Sequence, residues 1–329
     1  MSDAPTNPLS VNQAHSSWYT APPIRHEAYL PPHPSRKSFF IAIALFFATF
    51  GTCLVAGTHF AAAYQQNEAV NWDEFLRAFT LIYRHPSALI AGLPFALTLL
   101  AILLAHELGH FFACRHHQIR SSYPFFIPFP TLIGTMGAFI LIRSPIRTTR
   151  ALFDVGASGP LVGFIVAVPA LMFGILHAKF VPGLSVPGDD KILLGSPLLL
   201  HLLASVLRPG VAASNLLLHP VGRAAWVGLF ATSLNLLPAA QLDGGHILRS
   251  LSQPAHRIAS VLVPALLVFL GYWFWPGWYV WGALLIGIRL LRSLPIYHPE
   301  PLGKSRELAA FLALVIFVLC FMPSPFIEN

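Results

Sequence analysis

Residues 87–114 read SALIAGLPFALTLLAILLAHELGHFFAC, an apolar run interrupted by His106, Glu107 and His110. The only other ionisable side chain in it is Cys114. Two imidazoles and a carboxylate at membrane depth are costly unless something holds them. In a helix, positions i and i+4 share a face, so His106 and His110 are placed to grip one metal ion together. Glu107 is turned by about 100° from His106 and reaches a water beside such a metal. In a soluble helix this five-residue pattern is often only a polar face. In an apolar helix a polar triplet calls for a function, and the spacing points to hydrolytic zinc chemistry.

Composition agrees with a membrane setting. Of 329 residues, 55% are hydrophobic and 10% charged, with mean hydropathy +0.65. Soluble domains carry about 25% charged residues. The chain therefore reads as an all-α polytopic membrane protein whose first partner is the lipid bilayer. The net charge of +7 does not indicate nucleic acid, because the basic residues sit beside apolar segments and set topology. Cys53, Cys114 and Cys320 are scattered and odd in number, so they form neither a disulfide framework nor a zinc ribbon.

The expected organisation has four parts. Residues 1–37, Pro-rich and polar, read as a disordered cytoplasmic tail. Residues 38–86 hold a first transmembrane helix and an external loop; the apolar run starts too far in, near Phe39, for a cleavable signal peptide. Residues 87–250 form the core, and 251–329 the C-terminal helices. Six spans are expected at 39–62, 87–113, 155–177, 220–240, 258–275 and 277–294, with a seventh at 307–324. One side then collects Arg25, Arg36, Lys37, Arg115, Arg120, Arg143, Arg147, Arg150, Arg249, Arg257, Arg289, Arg292, Lys304 and Arg306. The other side holds Arg77, Arg84, Lys179, Lys191, Arg208 and Arg223. The expected orientation puts the N-terminus and the HELGH end in the cytoplasm, in a bacterial plasma membrane.

Two apolar stretches do not read as spans. The first, 123–142, contains Pro124, Pro128, Pro130, Gly134 and Gly137, too many helix breakers for a helix. A re-entrant β-hairpin or loop is expected, since irregular backbone at membrane depth needs protein or a water-filled cavity beside it. The second, 193–207, reads as an amphipathic surface helix, with a half-inserted helix as the alternative.

A catalytic zinc usually has three protein ligands, and two histidines leave one to find. Asp154 and Asp243 are the acidic candidates on the same side. Asp243 follows Asn235-Leu236-Leu237-Pro238-Ala239-Ala240-Gln241-Leu242 and precedes Gly244-Gly245. There Pro238 would interrupt the helix and the glycines permit a sharp turn.

HELGH together with N-x-x-P-x-x-x-L-D-G-G strongly resembles the site-2 protease class of intramembrane zinc metalloproteases, over residues 87–250. The resemblance implies one zinc ion held by His106, His110 and Asp243, with Glu107 as general base. It also implies Asn235 near the scissile carbonyl, where its amide could stabilise an oxyanion. Phe153-Asp154-Val155-Gly156-Ala157-Ser158-Gly159-Pro160 resembles the Gly-rich segment that packs a helix close to the site. Gly134-Thr135-Met136-Gly137 resembles the membrane-embedded β-loop. No stretch within the core is long enough for the PDZ domain of many bacterial members, so the chain looks like the PDZ-less cyanobacterial and plastid branch. The substrate class implied is a transmembrane protein or peptide.

The remaining polar residues receive plainer readings. Cys114 is expected to be a packed thiol, His116, His117 and His246 to face water at the interface, and Asp154 to cap the third span. Trp273, Trp275, Trp278 and Trp281 read as an interfacial aromatic belt, and Asp189, Asp190, Glu300 and Glu307 as solvated. Two rival functions remain: a transporter or metal-handling protein with His106, Glu107 and His110 along its path, and a non-proteolytic homologue.

Overall fold

A computed structural model describes residues 36–184, 191–290 and 300–327. The expected tail, apart from its last two residues, lies outside these, as do Asp189, Asp190, Arg292 and the end of the sixth expected span. The protein is mostly helical. Helix α1 (Arg36–Gln66) leads through strand β1 (Val70–Asn71) to α2 (Trp72–Arg84). A 3-10 turn, Pro86–Gly92, opens α3 (Leu93–His116). Strands β2 (Phe125–Pro128) and β3 (Thr135–Phe139) precede α4 (Thr149–Leu176). Next come β4 (Lys179–Phe180), β5 (Lys191–Leu194), α5 (Leu198–Leu207) and β6 (Leu216–Leu217). Then follow α6 (Pro220–Asn235), α7 (Asp243–Leu251), α8 (Gln253–Trp273), α9 (Gly277–Leu290), α10 (Lys304–Cys320) and β7 (Phe326–Ile327).

Four helical stretches among the described residues are long and apolar enough to cross a membrane: 36–66, 86–116, 149–176 and 253–273. Helices α6, α9 and α10, expected as further spans, are shorter, at 16, 14 and 17 residues. The chain is an integral membrane protein, and its surface agrees. Phe40, Phe47 and Ile165 are each more than 60% exposed on helices where water would penalise them.

Helices α3, α4 and α6 pack against one another as the centre of the molecule. Small residues let the backbones approach: a methyl group on Gly174 of α4 would overlap the Cα of Gly222 in α6. Helix α7 packs on α4, α8 pairs with α9, and α10 leans on α4, α5 and α6.

Short strands qualify the all-α expectation. β2 and β3 form an antiparallel hairpin with a bulge between Phe126 and Pro128. It docks on α1, where the Thr52 hydroxyl donates to the Gly134 carbonyl at 2.6 Å. Gly134 has φ +85°, and a Cβ there would lie 2.7 Å from the Cys53 backbone, so only glycine serves. Away from the hairpin, β5 joins β1 to β7, and β4 pairs with β6.

Three expectations are corrected. The loop expected at 63–86 is largely helical: α1 runs to Gln66, and α2 forms with Phe75 buried and Tyr83 exposed. Trp278 does not belong to an interfacial belt, because it is fully buried and its indole N–H donates to the Pro323 carbonyl at 2.6 Å. The 193–207 stretch begins as strand β5, and only Leu198–Leu207 is helical, with Leu199, Leu200 and Ala204 turned inward.

Candidate metal centre

His106 and His110 lie on the same face of α3, one turn apart, in a helix of otherwise apolar residues. Their Nε2 atoms are 3.0 Å apart. The third member comes from α6 and the turn after it. Helix α6 ends at Asn235, three residues before Pro238, because the residue preceding a proline resists helical backbone. The turn 236–242 then reverses the chain, and Asp243 becomes the first residue of α7. Its position suits a carboxylate, since a helix N-terminus favours negative charge. Ala240 takes the positive φ in this turn, 52°, whereas the sequence reading gave that freedom to the glycines. Gly244 and Gly245 serve close approach instead: a Cβ on either would strike the carbonyls of Leu236 or Ala239. From α8, the Ser260 hydroxyl accepts from the Ala240 N–H at 3.1 Å, and His256 Nε2 donates to the Ala240 carbonyl at 2.9 Å.

The Asp243 Oδ2 therefore lies 3.2 Å from His106 Nε2 and 3.3 Å from His110 Nε2. Three ligand atoms from two distant stretches face one point, in an arrangement able to hold a metal ion. Bonds of about 2.0–2.1 Å in tetrahedral zinc coordination would separate ligand atoms by about 3.3 Å, so the spacing fits. His110 Nδ1 lies 2.6 Å from the Val155 carbonyl of α4. A carbonyl only accepts, so Nδ1 carries the proton and the Nε2 lone pair is left for the ion. Helix α4 reaches the site through glycine: a Cβ on Gly159 would overlap the His110 ring, and one on Gly156 would lie 2.8 Å from the His246 Cβ.

Glu107 is buried beside the three ligands, with the Ile140 backbone N–H, just past β3, facing its carboxyl. The Asn235 side-chain nitrogen is 3.4 Å from His106 Nε2. All five residues singled out in the sequence thus gather at one place. Cys114 is a buried thiol packed with Ile119, Ala151 and Val155, away from the cluster, as expected.

Asp154 is not the cap of α4; Thr148 is, its hydroxyl accepting from the Ala151 N–H at 3.1 Å. Asp154 instead binds Arg306 of α10 in bidentate fashion, at 2.8 and 2.7 Å, and takes a third hydrogen bond from His117 Nε2 at 2.8 Å. His117 is therefore engaged and half-buried, whereas His116 is exposed as expected. Sequence reasoning missed Arg306, the Val155 carbonyl, Ser260 and His256. Only Arg306 left a signal, as a basic residue near the start of an apolar helix.

A family model described as peptidase family M50 matches residues 94–274, more than half of the chain. The chain belongs to peptidase family M50. The match runs from α3 through α8 and takes in HELGH, the glycines of α4, and Asp243. Among curated proteins, this M50 chain is 32% identical over 238 residues to the probable zinc metalloprotease EGY1, chloroplastic, of Oryza sativa subsp. japonica; that match covers 71% of this chain and 41% of the relative. It is 28% identical over 317 residues to the Arabidopsis thaliana protein of the same name, covering 91% and 56%. It is 29% identical over 245 residues to the probable zinc metalloprotease EGY2, chloroplastic, of Arabidopsis thaliana, covering 71% and 42%. The chain spans about half the length of these curated relatives. No solved structure matches it.

Proposed function

We propose that this chain is an intramembrane zinc metalloprotease that hydrolyses peptide bonds in or near transmembrane segments of membrane proteins. The observation that carries the reading is the convergence of His106, His110 and Asp243 beside Glu107 within an apolar bundle of M50 type. In this reading those three residues hold zinc, a donor set of two imidazoles and a carboxylate that suits it. Bound there, zinc supplies Lewis acidity toward a peptide carbonyl and lowers the pKa of a water. Glu107 takes the proton from the attacking water and returns it to the leaving amine. The Asn235 amide donates to the carbonyl oxygen as negative charge develops on it. The Val155 carbonyl keeps His110 in its ligating tautomer.

A substrate helix hides its carbonyls in its own hydrogen bonds and must be extended before attack. The β2–β3 hairpin is the proposed re-entrant element, offering the free edge of β3 by strand addition. Its supporting observation is the Ile140 N–H at the Glu107 carboxyl, which sets the end of that strand beside the base.

Two or all three of the helices α6, α9 and α10 would bring the spans to six or seven. Residues 1–37 serve as a cytoplasmic tail, 38–86 as first span and external segment, 87–250 as catalytic core and 251–329 as C-terminal helices. The side richer in Lys and Arg holds the N-terminus and the metal; in a bacterial plasma membrane this is the cytoplasm. The curated relatives carry chloroplastic names, which bring the membrane of a plastid in beside the bacterial one.

The test is Glu107→Gln, assayed for zinc content and for cleavage of a model transmembrane substrate in liposomes. Retained zinc with cleavage lost supports the protease. Cleavage at the wild-type rate in the variant, or none in the wild type, sinks it. Metal flux across the liposome without proteolysis points to a transporter.

A further inference from the structure

A second cavity lies away from the metal centre, at the opposite ends of α4 and α6. It encloses about 500 Å³ and is bordered by β1, β5, β6, β7, α5 and the first turns of α6. That volume lies within the range of about 300–1,000 Å³ usual for small-ligand pockets. Most of the lining is apolar, from residues such as Val70, Ile192, Leu217, Trp226 and Met322. Set into this wall is Arg223, which is 3% exposed.

Arg223 is poorly compensated. Its guanidinium lies 5.1 Å from the Phe60 ring centroid, and its Nε donates to the Leu218 carbonyl at a long 3.4 Å. Among the described residues, no carboxylate forms an ion pair with it. It also occupies the first turn of α6, the end of a helix where a cation is unfavourable and an anion favourable. His59 of α1, which precedes the Phe60 that faces the guanidinium, is 2% exposed, and its Nε2 has no hydrogen-bond partner among the described residues. A buried guanidinium and a helix N-terminus thus converge, and no carboxylate among the described residues meets them. A buried arginine is retained only where something offsets its desolvation, and breaking such a pair is costly.

We propose that this cavity binds an anionic amphiphile, with its oxyanion head on Arg223 and a single acyl chain along the apolar wall. The guanidinium fork matches a carboxylate or phosphate, and five donors on one rigid plane leave capacity beyond the Leu218 bond. His201, Ser196 and Ser214 line the same cavity and add hydrogen-bonding groups for a head. The chemistry is shared by a free fatty acid and by one chain of an anionic phospholipid.

The experiment uses the full chain in mild detergent, with labelled oleate as probe and oleyl alcohol as the uncharged competitor. Wild type is expected to bind oleate saturably, with oleyl alcohol a much poorer competitor. Arg223→Gln should weaken oleate by about tenfold or more, as loss of a charge-assisted hydrogen bond implies, whereas Arg223→Lys, which keeps the charge but loses the fork, should fall between the two. Should Arg223→Gln fail to fold, the oleate against oleyl alcohol comparison on wild type still decides. Phosphatidylcholine nanodiscs with and without phosphatidylglycerol separate the two sources. A phospholipid ligand raises the unfolding midpoint only when phosphatidylglycerol is present, and a fatty acid only when oleate is added. Equal competition by oleyl alcohol, or absence of saturable oleate binding, overturns the proposal. So does recovery of Arg223→Gln stability on adding Asp189→Asn or Asp190→Asn, which would make that carboxylate the counter-ion.

Discussion

The Nδ1 of His110 lies 2.6 Å from the carbonyl oxygen of Val155, a residue of the neighbouring helix α4. That single bond fixes both the rotamer and the tautomer of the imidazole. It also makes the packing of α3 on α4 part of the metal site. The glycines of α4 are where this coupling is most exposed to mutation.

Gly159→Ala should therefore damage the centre with little change in overall fold. The added methyl overlaps the His110 ring and turns it from Val155. Displacing such an orienting bond typically costs about 10- to 100-fold in metal affinity. Zinc retention against a graded chelator reads the effect, and retention equal to wild type would refute it.

Asp154 is predicted to matter for stability and not for the metal. It ties α10 to the ends of α3 and α4 through Arg306 and His117. Asp154→Asn should cost about 1–3 kcal/mol, toward the lower end because the pair is partly exposed. Thermal unfolding in detergent, with zinc content followed in parallel, separates the two effects. A double-mutant cycle with Arg306→Gln should show strong coupling.

Ala240 sits at φ 52° in the turn that delivers Asp243. Ala240→Val should be strongly destabilising, since a β-branched residue resists the left-handed region. Ala240→Gly should be neutral or stabilise by up to about 1 kcal/mol. A lower unfolding midpoint for the valine variant and an unchanged or higher one for the glycine variant are the expected result; equal losses would mean that the turn is held by something other than its backbone conformation.

Met136 is exposed on β3, at the hairpin edge proposed to receive substrate. Met136→Pro removes one strand N–H and should lower cleavage far more than zinc content. Unchanged cleavage in liposomes would rule out strand addition there.

Much of the centre was legible in the sequence for a physical reason. A polar triplet in an apolar helix stands out because burial makes it expensive, and Asp243 lies in a local pattern of proline and glycine that announces a turn. The hairpin was legible too, since helix breakers in an apolar stretch leave few other conformations. What stayed hidden depended on distant partners. Nothing near Asp154 indicates that Arg306, 152 residues on, will claim it in place of a helix cap. Trp278 looks interfacial until the segment after α10 folds over it. Helix α2 was missed because its mean polarity resembles a loop, although its one-faced apolar spacing is a helix signal. The left-handed residue of the turn was assigned to glycine by propensity, whereas packing gave it to Ala240.

The shortness of α6 has a consequence for how water reaches its end. Sixteen residues rise about 24 Å, against a hydrocarbon thickness of about 30 Å. If one end of α6 sits at the boundary, the other stops about 6 Å inside, with the turn and Asp243 beyond it. Because α6 is buried among its neighbours, water rather than lipid must descend to that turn, and the packing of α3 and α4 around it becomes the control on how wet the centre is.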